Sequence, residues 1–284
     1  MKIRIGTRGS ALALAQTEMV AAELKRVSPD IEIEVVKITT KGDKILDRPL
    51  EAIGGKGVFI AEIERALIEN EIDIAVHSAK DLPVELAEGT HISAVLRRGN
   101  PSDVLVTRKG GELYDIMTVG TGSQRRRNAF EGLFAGRVFR DIRGNVDTRL
   151  RKLENGEYDA IILAAAGLER LGLRNDERFS YIELDPEVFI PSPCQGIIAV
   201  QSGIGDLVDH LGAINHADTF LCFQTEREVL RLLNAGCNTP VGAYARLKGE
   251  RLVLTVTLDS ISLSTCESPY GNPEKLAREA VGNL

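Results

Sequence analysis

Apolar and polar positions change period several times along the chain, and each change predicts an element. Residues 2–6 alternate, with Ile3 and Ile5 set between Lys2, Arg4 and Gly6, which is the period of a strand. Ser10 stands where a helix cap is favoured, ahead of Leu12, Ala15, Met19, Ala22 and Leu24 at helical spacing. A helix is therefore expected over 11–27, stopped by Pro29. Ile31, Ile33 and Val35 return to alternation and predict a strand over 31–39. The stretch 41–57 is charged and glycine-rich and reads as a mobile loop. A helix over 58–70 and a buried strand over 72–77 follow.

The same order then recurs. A strand over 118–120, a helix over about 124–133, a strand over 138–142, a helix over 148–155 and a buried strand over 159–163 are expected. Ile5-Gly6-Thr7-Arg8-Gly9-Ser10 is similar to Val119-Gly120-Thr121-Gly122-Ser123, and Glu69–Val76 is similar to Glu154–Ile161. These likenesses imply duplication into two α/β lobes facing each other across a cleft, the usual place for a ligand. The remainder is different in kind. A helix over 215–233 and strands over 241–247, 251–258 and 261–266 are expected, the first two strands joined at Lys248-Gly249. With a closing helix over 273–281 they make a small α+β domain.

Composition narrows the partners. The net charge is -6, Trp is absent and aromatic residues make up 5% of the chain, so a nucleic acid partner is not expected. No apolar run reaches the roughly 18–20 residues that span a membrane. The alternation at the N-terminus is not the pattern of a signal peptide, and the cytoplasm is the expected location. The cysteines at 194, 222, 237 and 266 form no C-x-x-C pair and only four His are present, so neither a zinc site nor a disulfide framework is expected.

Against this acidic background, cations gather at glycine-flanked turns. Arg8 lies in Gly6-Thr7-Arg8-Gly9-Ser10 and Lys56 in Gly54-Gly55-Lys56-Gly57. Arg125, Arg126 and Arg127 follow Gly120-Thr121-Gly122-Ser123-Gln124, and Arg143-Gly144-Asn145 precedes Arg149. Glycine lets backbone N–H groups approach a ligand, a helix N-terminus favours an anion, and arginine offers forked donors to carboxylates. The pattern points to a small ligand with many negative groups. Asp81, just past a buried strand and beside Lys80, either works on protons and stabilises a cation or caps a helix ahead of Leu82-Pro83. Cys237 lies in a loop, whereas Cys222 and Cys266 fall in core patterns; it is either a nucleophile or attachment point or an incidental thiol.

On these residues the chain resembles the porphobilinogen deaminase, or hydroxymethylbilane synthase, family. The resemblance is carried by Gly6–Leu14, Gly54-Gly55-Lys56-Gly57-Val58-Phe59, Asp73–Pro83, Arg143–Leu150, Asn155–Leu163 and Ala235-Gly236-Cys237-Asn238-Thr239-Pro240. It implies an α/β fold with two bilobal-binding-protein-like α/β domains flanking a cleft, and a small α+β C-terminal domain with an antiparallel sheet. Residues 1–96 with a return at 195–211 would form the first lobe, 97–194 the second and 212–284 the third domain. The implied activity is a transferase that joins four porphobilinogen molecules head to tail, releasing ammonia at each step. The chain grows on a covalent dipyrromethane cofactor, and water then releases hydroxymethylbilane. No metal, nucleic acid or membrane is implied, and the enzyme would act as a monomer.

The resemblance also implies roles. Cys237 would hold dipyrromethane through a thioether, and Asp81 would stabilise the cationic species formed as ammonia leaves. Lys80, Ser123, Arg125, Arg126 and Arg143 would bind cofactor carboxylates. Arg8, Ser10, Arg149, Arg170 and Gln195 would bind substrate, and Lys56 and Phe59 would belong to a lid. Two stretches depart from the family pattern. Cys194-Gln195-Gly196 stands where Gly-Gln-Gly is usual, and Gln201, Ser202 and Gly203 stand where an acidic residue and then an arginine are usual. A non-catalytic anion-binding protein of the same architecture is the rival reading, and it needs neither Asp81 nor Cys237.

Overall fold

The computed structural model describes residues 1–40, 42, 60–203, 205, 207–235 and 239–284. They fall into two compact units, Met1–Arg98 with Ile197–Phe220, and Gly99–Gly196 with Leu221–Leu284. Among the described residues no helix is long and apolar enough to cross a membrane.

The first unit is built on a five-stranded sheet. Its strands are β1 (Lys2–Thr7), β2 (Glu32–Lys37), β3 (Ile74–Ser78), β4 (Thr90–Val95) and β10 (Ile198–Gly203), ordered β2-β1-β3-β10-β4. β1 runs parallel to β2 and β3, whereas β10 is antiparallel to β3 and β4. Strand side chains alternate between faces. Ile3, Ile5, Ile74, Val76, Ile198 and Val200 therefore share one apolar layer with Val20 and Leu24 of α1 (Ala11–Val27) and Leu211 and Ile214 of α6 (Val208–Ile214). Ala75 faces the other way, into a layer with Ile63, Ala66 and Leu67 of α2 (Ala61–Ile68). Ser10 caps α1, its Oγ accepting the Ala13 N–H at 3.3 Å, and Lys25 and Arg26 complement the helix dipole in the last turn.

The second unit repeats that plan. Its strands β5 (Asp103–Arg108), β6 (Thr118–Gly120), β7 (Val138–Arg140), β8 (Ala160–Ala164) and β9 (Phe179–Leu184) are ordered β7-β6-β8-β5-β9. β6 is parallel to β7 and β8, and β5 is antiparallel to β8 and β9. Phe130 of α3 (Gln124–Leu133) packs on one face with Leu105, Val119 and Ile162. Leu150 and Leu153 of α4 (Val146–Glu154) and Leu168 of α5 (Ala165–Arg170) pack on the other with Val104, Val106 and Ile161.

The duplication extends to single atoms. Asp73, before β3, accepts the Arg4 N–H of β1 at 2.7 Å, and Asp159, before β8, accepts the Thr118 N–H of β6 at 2.8 Å. Gly6, one residue before the end of β1, and Gly120, the last of β6, stand where a Cβ does not fit. It would lie 2.2 Å from Ile72 Cδ1 in the first case and 2.8 Å from Tyr158 Cδ1 in the second.

The second unit also holds the meander β11 (Val241–Lys248), β12 (Arg251–Leu258) and β13 (Ser262–Pro269). Ala243, Ala245, Leu252, Leu254 and Val256 pack against Val229 of α7 (Ala217–Leu232) and Leu276, Ala277 and Ala280 of α8 (Pro273–Gly282).

The helix expected over 215–233 starts later, at Ala217. Asn215 Oδ1 accepts the Val95 N–H at 3.0 Å and the His216 N–H donates to Val95 O at 2.9 Å. The Thr219 N–H donates to His216 Nδ1 at 3.2 Å. The chain is thus pinned to the end of β4, and His216 supplies the acceptor at the new helix start.

Candidate active site

β3 ends in Ser78 and passes directly into a single 3-10 turn, Ala79–Asp81. This turn is held by its own closing hydrogen bond and by two neighbouring segments. The Ala79 N–H donates to Ile197 O at 3.0 Å, and the Leu82 N–H donates to Ala79 O at 3.2 Å. Behind it, the Gln16 amide of α1 both donates to and accepts from Ser78 Oγ, at 2.8 and 3.1 Å. Ala79 and Leu82 are buried, Lys80 is half-buried and Asp81 is exposed. The Asp81 carboxylate has no hydrogen-bond partner among the described residues, and residues 82–89 are irregular, so it caps no following helix. A rigid strand end therefore presents an exposed carboxylate beside a lysine. Arg8 is half-buried just past β1, and Ser10 spends its oxygen on the cap of α1.

His77, one residue from this strand end, points into the protein instead. It is buried, and burial pushes its pKa down to about 4, with the neighbouring Gln201 side chain opposing only weakly. Gln201 is itself buried and donates to Glu64 Oε1 at 2.9 Å and Thr90 Oγ1 at 2.8 Å. Glu64 Oε1 also accepts the Ala87 N–H at 3.0 Å. The residue that departs from the family pattern at 201 thus ties α2 to the sheet.

In the second unit the expected anion-binding arginines converge on a residue that the sequence reading did not single out, Asp103. Ser123 caps α3 by accepting the Arg126 N–H at 3.4 Å, which aims Arg125 and Arg126 into the protein from the first helical turn. Arg125 Nη2 donates to Asp103 Oδ2 at 2.5 Å and Nη1 to Ile190 O at 2.7 Å. Arg126 donates to Asp103 Oδ1 from Nε and Nη2, at 3.0 and 2.6 Å, and from Nη1 to Ile162 O at 3.0 Å. Gln195 Nε2 donates to the same Oδ1 at 3.0 Å. Asp103 is 0% exposed. Burial raises its pKa, but the two guanidinium charges outweigh that and hold it well below the usual carboxylate range. A signal for Asp103 was available. Three consecutive arginines opening a helix need a counter-charge, and Asp103 directly precedes the apolar run Val104-Leu105-Val106.

The cluster suits an anionic ligand in two respects. It carries two buried guanidinium charges against one carboxylate, and each Nη nitrogen of the pair keeps an N–H beyond the one hydrogen bond it makes. Arg127, by contrast, is taken up by Thr121 O and Asp141.

The other expected residues lie at turns of the same unit. Arg143 is half-buried ahead of Gly144, whose φ of +108° puts it in the left-handed region. Arg149 Nε donates to Gly144 O at 2.8 Å, folding back over that turn. Arg170 Nη2 donates to Gly196 O at 2.6 Å, and burial pushes its pKa down to about 10. Arg170 and Gln195 therefore brace the segment 194–196 as well as carrying donors. Cys194 has φ +62°, a conformation that favours glycine, and its N–H donates to the buried Glu226. Lys56, Phe59 and Cys237 lie outside the described residues, as does nearly all of the loop expected over 41–57. Among the described residues, Cys194, Cys222 and Cys266 are buried, and no group of His, Cys, Asp and Glu could hold a metal ion.

Two family models match the chain. The first, described as porphobilinogen deaminase, dipyromethane cofactor binding domain, matches residues 3–207. The second, described as porphobilinogen deaminase, C-terminal domain, matches residues 220–269. Among curated relatives, the porphobilinogen deaminase of Ruminiclostridium cellulolyticum is 45% identical, covering 89% of this chain and 85% of that protein. That of Ruminiclostridium josui is 43% identical over 100% of this chain and 97% of that protein. That of Gloeobacter violaceus is 41% identical over 99% and 89%. The matches run nearly end to end, and this chain belongs to the porphobilinogen deaminase family.

Proposed function

We propose that this chain is a porphobilinogen deaminase, a transferase of tetrapyrrole biosynthesis that works in the cytoplasm as a monomer, without nucleic acid or metal. The three-part division at 1–96 with 195–211, 97–194 and 212–284 is proposed with it. The observation that carries the reading is the pair of buried guanidiniums on one carboxylate, an excess of positive charge built into an acidic protein. Each porphobilinogen ring carries an acetate and a propionate, so the growing chain is the polyanion that such cations suit.

Cys237 would hold dipyrromethane through a thioether, with Lys80, Ser123, Arg125, Arg126 and Arg143 on its carboxylates. When bound, the cofactor supplies the primer pyrrole on which four substrate rings are joined. Arg8, Ser10, Arg149, Arg170 and Gln195 would orient the acetate and propionate of incoming substrate, and Lys56 and Phe59 would cover it. Asp81 would accept a pyrrole N–H and stabilise the positive charge that develops on the ring as ammonia leaves. Its exposure on a braced turn leaves the carboxylate available for that contact.

The test is to supply the purified chain with porphobilinogen alone and follow both products. The reading expects one ammonia released for each porphobilinogen consumed, together with a linear tetrapyrrole. Tight binding of porphobilinogen with no ammonia released would make the chain a binding protein.

A further inference from the structure

Arg125 and Arg126 are adjacent on a helix, and two like charges buried side by side repel. What holds them together is Asp103. Its Oδ2 takes Arg125 Nη2, and its Oδ1 takes Arg126 Nε and Nη2 together with the Gln195 amide. Every oxygen of this carboxylate is thereby committed inside the protein, and the side chain is 0% exposed, so Asp103 itself meets no ligand. The two guanidiniums are not so fully committed: each Nη nitrogen carries two N–H groups and makes one hydrogen bond, and one positive charge of the cluster is uncompensated.

We propose that Asp103 is a positioning residue for the reaction. It fixes the guanidinium planes of Arg125 and Arg126 so that their remaining donors meet a ligand carboxylate, and it leaves one net positive charge to attract that carboxylate. This rests on the reading of the chain as a dipyrromethane-dependent deaminase. Of the ligand's two kinds of anionic group, the cluster distinguishes neither, and the inference concerns the carboxylate that both share.

A double-mutant cycle tests it on full-length protein. Asp103→Asn, Arg126→Gln and the double variant are made beside the unchanged chain. Loading of each apoprotein by preformed hydroxymethylbilane is followed by intact mass, and thermal unfolding is recorded for each. If Asp103 acts through Arg126, Asp103→Asn slows loading at least about 10-fold when Arg126 is present. It then slows loading less than about 2-fold when Arg126 is already Gln. Equal slowing in both backgrounds, or none in either, overturns the proposal. Where Asp103→Asn shows no cooperative unfolding transition, Asp103→Glu takes its place in the cycle. It keeps the charge and displaces it, and wild-type loading by Asp103→Glu overturns the proposal. Failure of the unchanged chain to gain mass would instead remove the deaminase reading on which the inference rests.

Discussion

Arg126 grips a single oxygen of Asp103 with two of its nitrogens, Nε at 3.0 Å and Nη2 at 2.6 Å, in a place where the carboxylate is sealed from water. Breaking such a pair from one side leaves a buried charge without its partner, which typically costs about 3–5 kcal/mol. Asp103→Asn should therefore lower stability by about that amount at neutral pH. The carboxyl is held below its unfolded value, so this contribution is present above about pH 4 and fades as the pH falls further. Denaturant unfolding of both proteins at pH 7 and pH 3 checks it: the gap between them should narrow in acid. A gap that is constant across that range contradicts the ion-pair account.

His77 governs a different window. Its folded pKa of about 4 lies below the usual 6.5, because burial disfavours the imidazolium. The unfolded chain therefore takes up this proton first, and stability is lost as the pH falls from about 6.5 to about 4, by something on the order of 3 kcal/mol. His77→Asn, which cannot titrate, should show a shallower stability slope between pH 7 and 4.5. Parallel slopes would mean that burial does not shift the imidazole's titration.

Cys194 should invert a familiar ranking. At φ +62° a Cβ is strained, and glycine relieves that strain where alanine keeps it. Cys194→Gly should be more stable than Cys194→Ala by about 1 kcal/mol. Equal or reversed stabilities, measured by chemical denaturation, would show that residue 194 carries no left-handed strain.

Asp81 should separate activity from stability. It is exposed, so Asp81→Asn and Asp81→Glu should unfold within about 0.5 kcal/mol of the unchanged protein. Turnover of cofactor-loaded protein should fall about 100-fold or more, with substrate affinity changed far less. Near-normal turnover by loaded Asp81→Asn would send the search for the catalytic carboxylate elsewhere.

Much of the fold was legible where period and punctuation agree. Ser10 and the spacing from Leu12 to Leu24 mark α1 to the residue, and the short likeness around Gly6 and Gly120 marks two strand positions that share one constraint. The cross strands were harder to read. β5 and β10 each hold only three consecutive apolar residues and are buried on both faces, so they lack the alternation that reveals β1. The expected site residues were legible as glycine turns carrying cations, but their partners were not. Asp103 lies 22 positions from Arg125 and 92 from Gln195, and only the antiparallel placement of β5 beside β8 brings it under α3. Arg125, Arg126 and Gln195 looked like ligand groups alone, whereas each makes hydrogen bonds that hold the protein together.

The proposed function requires a primer held covalently on Cys237. Intact mass of the denatured protein, purified as expressed, tests it most directly. The expected mass exceeds that of the sequence by two linked pyrrole units, is retained in acid because a thioether resists it, and is lost in Cys237→Ser. A wild-type mass equal to that of the bare chain would contradict it, as would an adduct that persists in Cys237→Ser or maps to Cys194.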